Sequence, residues 1–432
     1  AYVRAGTRRL YSTAMMKDLE RDFREPGARH RGMPFWAWNG RLSPDELRRQ
    51  VRLMKQMGLG GFFMHARVGL DTPYLSKDWF ACIEACVDEA GRQGMLAWLY
   101  DEDRWPSGAA GGLVTKDPRW RRRSLMMREI ASPRELKWDD GVVAAFTVRR
   151  DGHVARGVRR IPKGERPESL GDGEAILAFV VEVDPLSSWF NGFTALDTLN
   201  PLAVRRFIAV THEAYRRETG RHFGKTIPGI FSDEPNHGHR LGTDHATGKL
   251  LGLPWTSGLP AAFRKRYGYD LLPHLVELFL NVDGRPFSQA RWHYHDCVTH
   301  LFVDSFGRQV GEWCRKNGLQ FTGHVLMEDT LSQQTAVVGS AMRFYEHMQL
   351  PGMDLLTERW RAYTTAKQVS SAARQFGRRF RLTETYGCTG WDFPFAGHKA
   401  LGDWQAALGI NLRCPHLAWY TMEAEAKRDY PA

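Results

Sequence analysis

Ile227-Pro228-Gly229-Ile230-Phe231-Ser232-Asp233-Glu234-Pro235 runs short and apolar into two adjacent carboxylates, and a proline ends it. A buried strand with an acidic C-terminal tip is how a β/α barrel carries a reactive group to its mouth. An acidic turn before proline reads the same in isolation, so the neighbouring segments decide. Met95-Leu96-Ala97-Trp98-Leu99-Tyr100-Asp101-Glu102-Asp103 repeats the pattern, apolar and then acidic. Gly61-Phe62-Phe63-Met64-His65-Ala66-Arg67 does so with a His and an Arg at its tip. Met33-Pro34-Phe35-Trp36-Ala37-Trp38-Asn39-Gly40 is a short aromatic strand ending at a turn.

Helix signals separate these strands. Ser43-Pro44-Asp45-Glu46 supplies an N-cap, a proline in the first helical position and an acidic first turn. Leu47, Val51, Met54 and Met57 then recur at three- and four-residue spacing. Ser76-Lys77-Asp78 caps a second helix that runs to Gly94. Three strand–helix units in succession, with polar or aromatic tips on one side, imply a parallel sheet.

Further strands follow the one quoted first, itself preceded by a helix from Asn200-Pro201 to Gly220. Leu319–His324, Met353–Leu356, Phe380–Glu384 and Ile410–Leu412 read as the fifth to eighth. The expected fold is therefore α/β, a (β/α)8 TIM-type barrel over 33–118 and 198–432 behind a lead-in at 1–32. Residues 119–197 break the rhythm: Val142–Val148, Val154–Ile161 and Ala175–Val183 have antiparallel β character, which predicts a small β domain inserted after strand three. Residues 237–285 read as a helical insertion after strand four, with helices at Leu259–Tyr267 and Leu271–Leu280.

Composition narrows the class. The chain has 432 residues, 43% hydrophobic and 25% charged, as a soluble globular protein does. No apolar run approaches the roughly 18 residues of a membrane span. The first sixteen residues lack a signal-peptide pattern, so a cytoplasmic location is expected. The net charge of +11 comes mostly from arginine, in clusters such as Arg121-Arg122-Arg123 and the trio Arg378, Arg379 and Arg381. These clusters are scattered, and the aromatics sit beside carboxylates and histidines, so solvated faces are expected rather than a nucleic-acid surface. Six cysteines without paired metal spacing suit a reduced protein. With no Walker loop, dinucleotide fingerprint, zinc-helix motif or nucleophile elbow, no nucleotide or organic cofactor is expected. The oligomeric state is open.

The chemistry lies at the strand tips. Glu234 ends strand four and Glu384 ends strand seven, so the two face one another across the mouth of an eight-stranded barrel. Glycosidic cleavage uses such a pair: one carboxyl protonates the leaving oxygen, and the other activates water or attacks the anomeric carbon. Glu328 is a third candidate, as a metal ligand or a substitute base. Sugars stack their C–H faces on aromatic rings and hydrogen-bond to paired polar side chains. Trp36, Trp38, Asn39, His65, Arg67, Asp101, Asp103, Trp105, His324, Tyr386, Trp391 and His416 supply that mixture, with Glu328 beside them. Asp101-Glu102-Asp103 has the composition of a divalent-cation cluster but lacks the glycine and terminal glutamate of an EF-hand. Calcium at the mouth would draw on Asp101, Asp103 or Glu328. The same residues also suit a non-catalytic carbohydrate-binding barrel.

Several motifs carry a resemblance. Pro34–Gly40, Gly60–Arg67, the run Trp98–Gly108, Phe231-Ser232-Asp233-Glu234-Pro235, Thr383-Glu384-Thr385-Tyr386-Gly387 and Gly402-Asp403-Trp404-Gln405 through His416 span nearly the whole chain. Together they resemble glycoside hydrolase family 106, the α-L-rhamnosidases. The resemblance implies a barrel hydrolase that inverts anomeric configuration and holds calcium near the substrate. By position it implies Glu234 as general acid and Glu384 as base.

Overall fold

The computed structural model describes residues 13–139, 141–238, 252–358, 362–423 and 425–427. The first twelve residues of the lead-in and residues 239–251 of the 237–285 segment lie outside the described residues.

The chain forms a (β/α)8-type barrel. Its strands are β1 (Phe35–Gly40), β2 (Gly61–Leu70), β3 (Leu96–Tyr100), β4 (Gly229–Ser232), β5 (Gln320–Gly323), β6 (Leu350–Asp354), β7 (Leu382–Thr385), β8 (Leu412–Pro415) and β9 (Ala418–Trp419). They lie in the order β8-β7-β6-β5-β4-β3-β2-β1-β9, all parallel. The expected eighth strand is thus two short pieces. β8 pairs with β7, the chain steps at His416-Leu417, and β9 pairs with β1 through Trp36 and Ala418. That step nearly closes the barrel, helped by the Met33 N–H donating to the Arg413 carbonyl at 3.0 Å.

Local chemistry accounts for the helices between strands. Lys77–Gln93 starts where the Ser76 hydroxyl accepts from the Trp79 N–H, and it ends at Gly94 in the left-handed conformation. Pro44–Gln56 buries Leu47, Val51 and Met54 against the sheet. Met57, expected on the same face, is 77% exposed because the helix has already ended there. The Ser43 hydroxyl makes no cap bond, and its backbone N–H is instead taken by the Tyr420 hydroxyl at 3.0 Å.

The two-residue alternation of strands sorts side chains to two sides of the wall. Phe35, Phe63, Trp98, Phe231, Leu350, Leu382 and Leu412 pack together inside the barrel. Trp36 and Trp38 take the opposite parity and pack outward among the helices. Trp36 meets Phe62 at 5.1 Å and donates its indole N–H to Gln50 at 3.0 Å, while Trp38 meets Trp79 at 5.0 Å. These two tryptophans, expected at the sugar pocket, are core. Trp38→Ala is therefore expected to cost about 3–5 kcal/mol of stability, as large-to-small core changes do. Urea unfolding measures that cost, and turnover of the remaining folded fraction should be unchanged.

A second, six-stranded sheet is built mainly from Arg123–Ile130, Val142–Asp151, Val154–Ile161 and Glu174–Val183 in antiparallel pairing. The sequence reading missed Arg123–Ile130, whose polar surroundings mask the buried Leu125. The 237–285 segment adds two short edge strands, Leu253–Trp255 and Asn281–Val282, to this sheet beside its helices. Arg122, expected on a solvated face, is a tie between segments. Its guanidinium pairs with the buried Asp184 at 2.6 Å and donates to Asn236 at 3.0 Å.

Candidate active site

Continuing the same parity upward from the barrel core places the next inward residues at the mouth: His65 and Arg67 from β2, Tyr100 from β3 and Glu384 from β7. Asp233 and His324 stand just past the ends of β4 and β5, and Asp354 ends β6. A glycine makes the β4–β5 approach possible. Gly323 has φ +121°, and a Cβ there would meet the Ser232 carbonyl oxygen at 1.9 Å. That closeness delivers His324 to Asp233.

The centre of the site is a buried imidazole among carboxylates. His324 Nε2 lies 3.1 Å from Asp233 Oδ1 and 3.8 Å from Asp354 Oδ2, and its Nδ1 lies 3.7 Å from Glu384 Oε2. Burial opposes charge on His324, but the bond to Asp233 and the charges of Asp354, Asp233 and Glu384 hold its pKa well above the usual histidine value. These surroundings favour its charged form. Burial alone would raise Asp233, but His324 and the Tyr100 hydroxyl, which donates to it at 2.7 Å, outweigh it and hold Asp233 low. Asp233 is the ionised partner.

The remaining carboxyls move the other way. Burial, with the Asp233 charge beside it, pushes Glu234 up to about 8. Burial and the neighbouring charges of Asp354 and Asp233 push Glu384 well above the carboxylate range, while His324 and Arg67 pull it back. Burial takes Asp354 to about 6 against the pull of His324. A pocket crowded with acids and served by few cations keeps some of them protonated at neutral pH.

Backbone geometry marks the same place. Glu234 has φ +50°, an unfavourable left-handed conformation for a side chain that precedes a proline, and the Asn236 amide holds its carbonyl at 2.9 Å. Met327 and Tyr386, beyond the ends of β5 and β7, also have positive φ.

One wall is a guanidinium between two neutral imidazoles. Arg67 Nη1 lies 3.2 Å from His65 Nε2 and Nη2 lies 3.1 Å from His416 Nε2, with its carbon 4.2 Å from the centre of the Trp105 ring. Burial drives the pKa of His65 down to about 3, and burial with the Arg67 charge drives His416 well below the usual value. His65 Nδ1 bonds the Ala66 carbonyl at 2.6 Å, which leaves Nε2 as the acceptor for Arg67.

Of the expected site residues, the fold brings Glu234, Glu384, His324, His65, Arg67, His416 and Trp105 together. Others are engaged elsewhere. Asn39 ties down the chain at Thr421, donating to its carbonyl at 3.0 Å and accepting from its N–H at 3.2 Å. Asp103 accepts from Asn191 at 2.9 Å. The Tyr386 hydroxyl donates to the His398 carbonyl at 3.1 Å. Trp391 is 68% exposed on the loop after β7. Asp354, Tyr100 and Ser107 were missed. Asp354 escaped notice because the sixth strand was expected at Met353–Leu356, which puts it near the start, whereas the strand is Leu350–Asp354 and ends on it. Ser107 links Asp101 to Asp233: its hydroxyl donates to Asp101 at 2.6 Å and accepts from the Asp233 N–H at 2.8 Å.

Asp101 and Glu328, expected as calcium ligands, are engaged by protein donors. Asp101 is fully buried, and its two oxygens accept from the Ser107 and Ser232 hydroxyls. Glu328 accepts from the Tyr345 hydroxyl at 2.5 Å and from the Asp354 N–H. Among the described residues, Asp233, Glu234 and His324 do offer ligand atoms within 4.8 Å of one another.

The geometry has counterparts among known proteins. A family model described as α-L-rhamnosidase, of glycoside hydrolase family 106, matches residues 183–420, more than half of the chain. The structure is similar to that of a rhamnosidase from Novosphingobium sp. PP1Y, at a TM-score of 0.66 and 13% identity, covering 93% of this chain and 56% of that one. It thus spans little more than half the length of that protein. A chitobiase from Flavobacterium johnsoniae aligns at a TM-score of 0.35 and 11% identity, over 89% of this chain and 45% of that one. No curated protein matches the chain by sequence. The family match runs through β4 to β9 and takes in Asp233, Glu234, His324, Asp354 and Glu384, so the chain belongs to the α-L-rhamnosidase family, glycoside hydrolase family 106.

Proposed function

We propose that the barrel hydrolyses a glycosidic bond, with an α-L-rhamnoside as the first substrate to test, Glu234 as general acid and Glu384 as the second carboxyl. The observation that carries this reading is the state of Glu234. It sits at a strand tip beside an ionised Asp233, and its pKa is raised to about 8. A general acid must hold its proton at the working pH and release it to the leaving oxygen, and a partly buried carboxyl beside a fixed negative charge, still open to the pocket, meets that requirement. Glu384 must be ionised to act. The imidazolium of His324 at 3.7 Å and the charge of Arg67 favour that form against burial and the neighbouring acids.

In this mechanism Glu234 protonates the departing oxygen as the bond to the anomeric carbon lengthens. Glu384 takes a proton from a water that attacks the opposite face, giving inversion, the outcome the family resemblance implies. The Arg67 guanidinium, held by His65 and His416, presents fixed donors to ring hydroxyls. Asp233 is a positioning residue, bound to His324 and Tyr100 and unable to donate a proton while ionised.

The pH dependence follows. Activity requires Glu234 protonated and Glu384 ionised, so kcat/KM should be bell-shaped. Its alkaline limb should fall through about pH 8, where Glu234 loses its proton. Its acid limb should lie above the ordinary carboxylate range, because Glu384 is raised. A pH–rate profile on a nitrophenyl rhamnoside and a set of other nitrophenyl glycosides checks both limbs and the sugar. Sugar binding without turnover of any glycoside would overturn hydrolysis in favour of a binding barrel.

A further inference from the structure

A groove of about 430 Å³ crosses one end of the second sheet and shares no lining residue with the barrel mouth. The strands contribute Arg123, Val142, Arg160 and Val181, and the segment after Leu253–Trp255 closes the far side with Ser257 and Pro260. Its volume lies within the range of about 300–1,000 Å³ typical of small-ligand sites.

The lining chemistry is one-sided. Arg123, Arg160 and Lys163 are cationic, and no lining residue is acidic. Arg160 and Lys163 are exposed, and neither pairs with a carboxylate among the described residues. Asp270, which feels the charge of Arg160, is bound by Arg264 instead. Arg123 spends donors on the carbonyls of Pro118, Arg119 and Arg121 and stands 4.0 Å from the buried Asp197. The barrel mouth has the opposite balance, with acids in excess.

Aromatic surface lies within the same groove. Trp138 lines it half-buried, and its indole N–H donates to the Glu165 carbonyl at 2.6 Å, which fixes the ring plane. Trp255, itself 4% exposed, backs the groove from the sheet edge opposite Arg123 in the ladder, which leaves Trp138 as the accessible ring. Fixed aromatic faces take the C–H face of a sugar ring, and guanidinium forks take carboxylates in bidentate geometry. A nucleic-acid site would instead extend its cations along a backbone track with successive stacking rings, whereas these are gathered in one short groove.

We propose that this groove is a second carbohydrate site and that it binds an anionic oligosaccharide carrying uronate carboxylates. It would hold an acidic glycan on the β sheet while the barrel mouth acts elsewhere on the same or a neighbouring chain.

Calorimetric titration of the full chain with trigalacturonate at low ionic strength tests this. Saturable binding is expected. Replacing Arg160 and Lys163 together by Ala should weaken it about tenfold or more, since each removes a charge-assisted contact. Both side chains are exposed, so the melting temperature and glycoside turnover of that variant should not change. A neutral galactose trisaccharide should bind at least about tenfold more weakly than the uronate. The proposal is overturned by an absence of saturable binding, by equal affinity for the neutral trisaccharide, by an unaffected double variant, or by a random single-stranded oligonucleotide that binds as tightly. The assay needs no turnover, so its failure is distinct from a failure of the hydrolytic reading.

Discussion

Glu234→Gln is expected to lower kcat by about 10²–10⁴-fold, the contribution of a positioned general acid, while making the protein more stable in alkali. The activity loss follows from removing the only proton that Glu234 can give. The stability gain follows from linkage. The folded-state pKa of Glu234 is raised from 4.5 to about 8, so the fold favours the protonated carboxyl. Its contribution is fully present below about pH 4.5 and is lost as the pH climbs to about 8, because the unfolded chain ionises first. Glutamine mimics the protonated form at every pH and avoids that loss. Each pKa unit corresponds to roughly 1.4 kcal/mol, so the variant should exceed the parent by a few kcal/mol at pH values above 8. Urea unfolding on either side of this range measures the difference. A variant no more stable than the parent in alkali would mean that the fold does not raise the pKa of Glu234, which removes the ground for its role as acid. A substrate with an activated leaving group, such as dinitrophenol, should recover much of the lost rate, because its departure needs no proton.

Glu384→Gln is expected to lower turnover by about 10²–10⁴-fold for every leaving group, because activation of water is needed whatever departs. The contrast between the two variants separates acid from base. Proton NMR of the first product formed by the parent should show the inverted anomer. If Glu384 were instead a nucleophile, a glycosyl ester on it would accumulate with activated substrates and appear as a mass adduct, and the product would retain its configuration. Such an adduct would leave Glu234 as acid and overturn only the inverting half of the reading. Neutralising Glu384 also relieves the crowding of negative charge around His324. Glu384 helps hold that imidazolium well above the usual histidine value, so the His324 resonances should titrate at lower pH in the variant.

Much of this was legible in the chain because apolar runs ending in acids recur with helices between them, and a parallel barrel is the architecture that satisfies such a repeat. Glu234 and Glu384 stood out on the same ground. Trp36 and Trp38 did not sort correctly, because composition shows that a strand is aromatic but not which parity faces the pore. Their neighbours Phe35 and Phe63 took the inside instead. The eighth strand looked like one segment at Ile410–Leu412, and the break at His416-Leu417 depends on pairing β8 with β7 and β9 with β1. Arg122 read as a surface charge until Asp184, far along the chain, supplied its partner at 2.6 Å.

The sequence by itself determined the barrel class, the order of its strands and the acids at two of their tips. Those follow from hydrophobic periodicity and turn chemistry, which act over a few residues. The tertiary structure decided the charge state of the site. Only when β4, β5, β6 and β7 come side by side do Asp233, Asp354 and Glu384 fall within 4 Å of the His324 imidazole. Bonds from His324 and Tyr100 then hold Asp233 low, while burial and the Asp233 charge raise Glu234, though the two are neighbours in the chain with nearly the same intrinsic pKa.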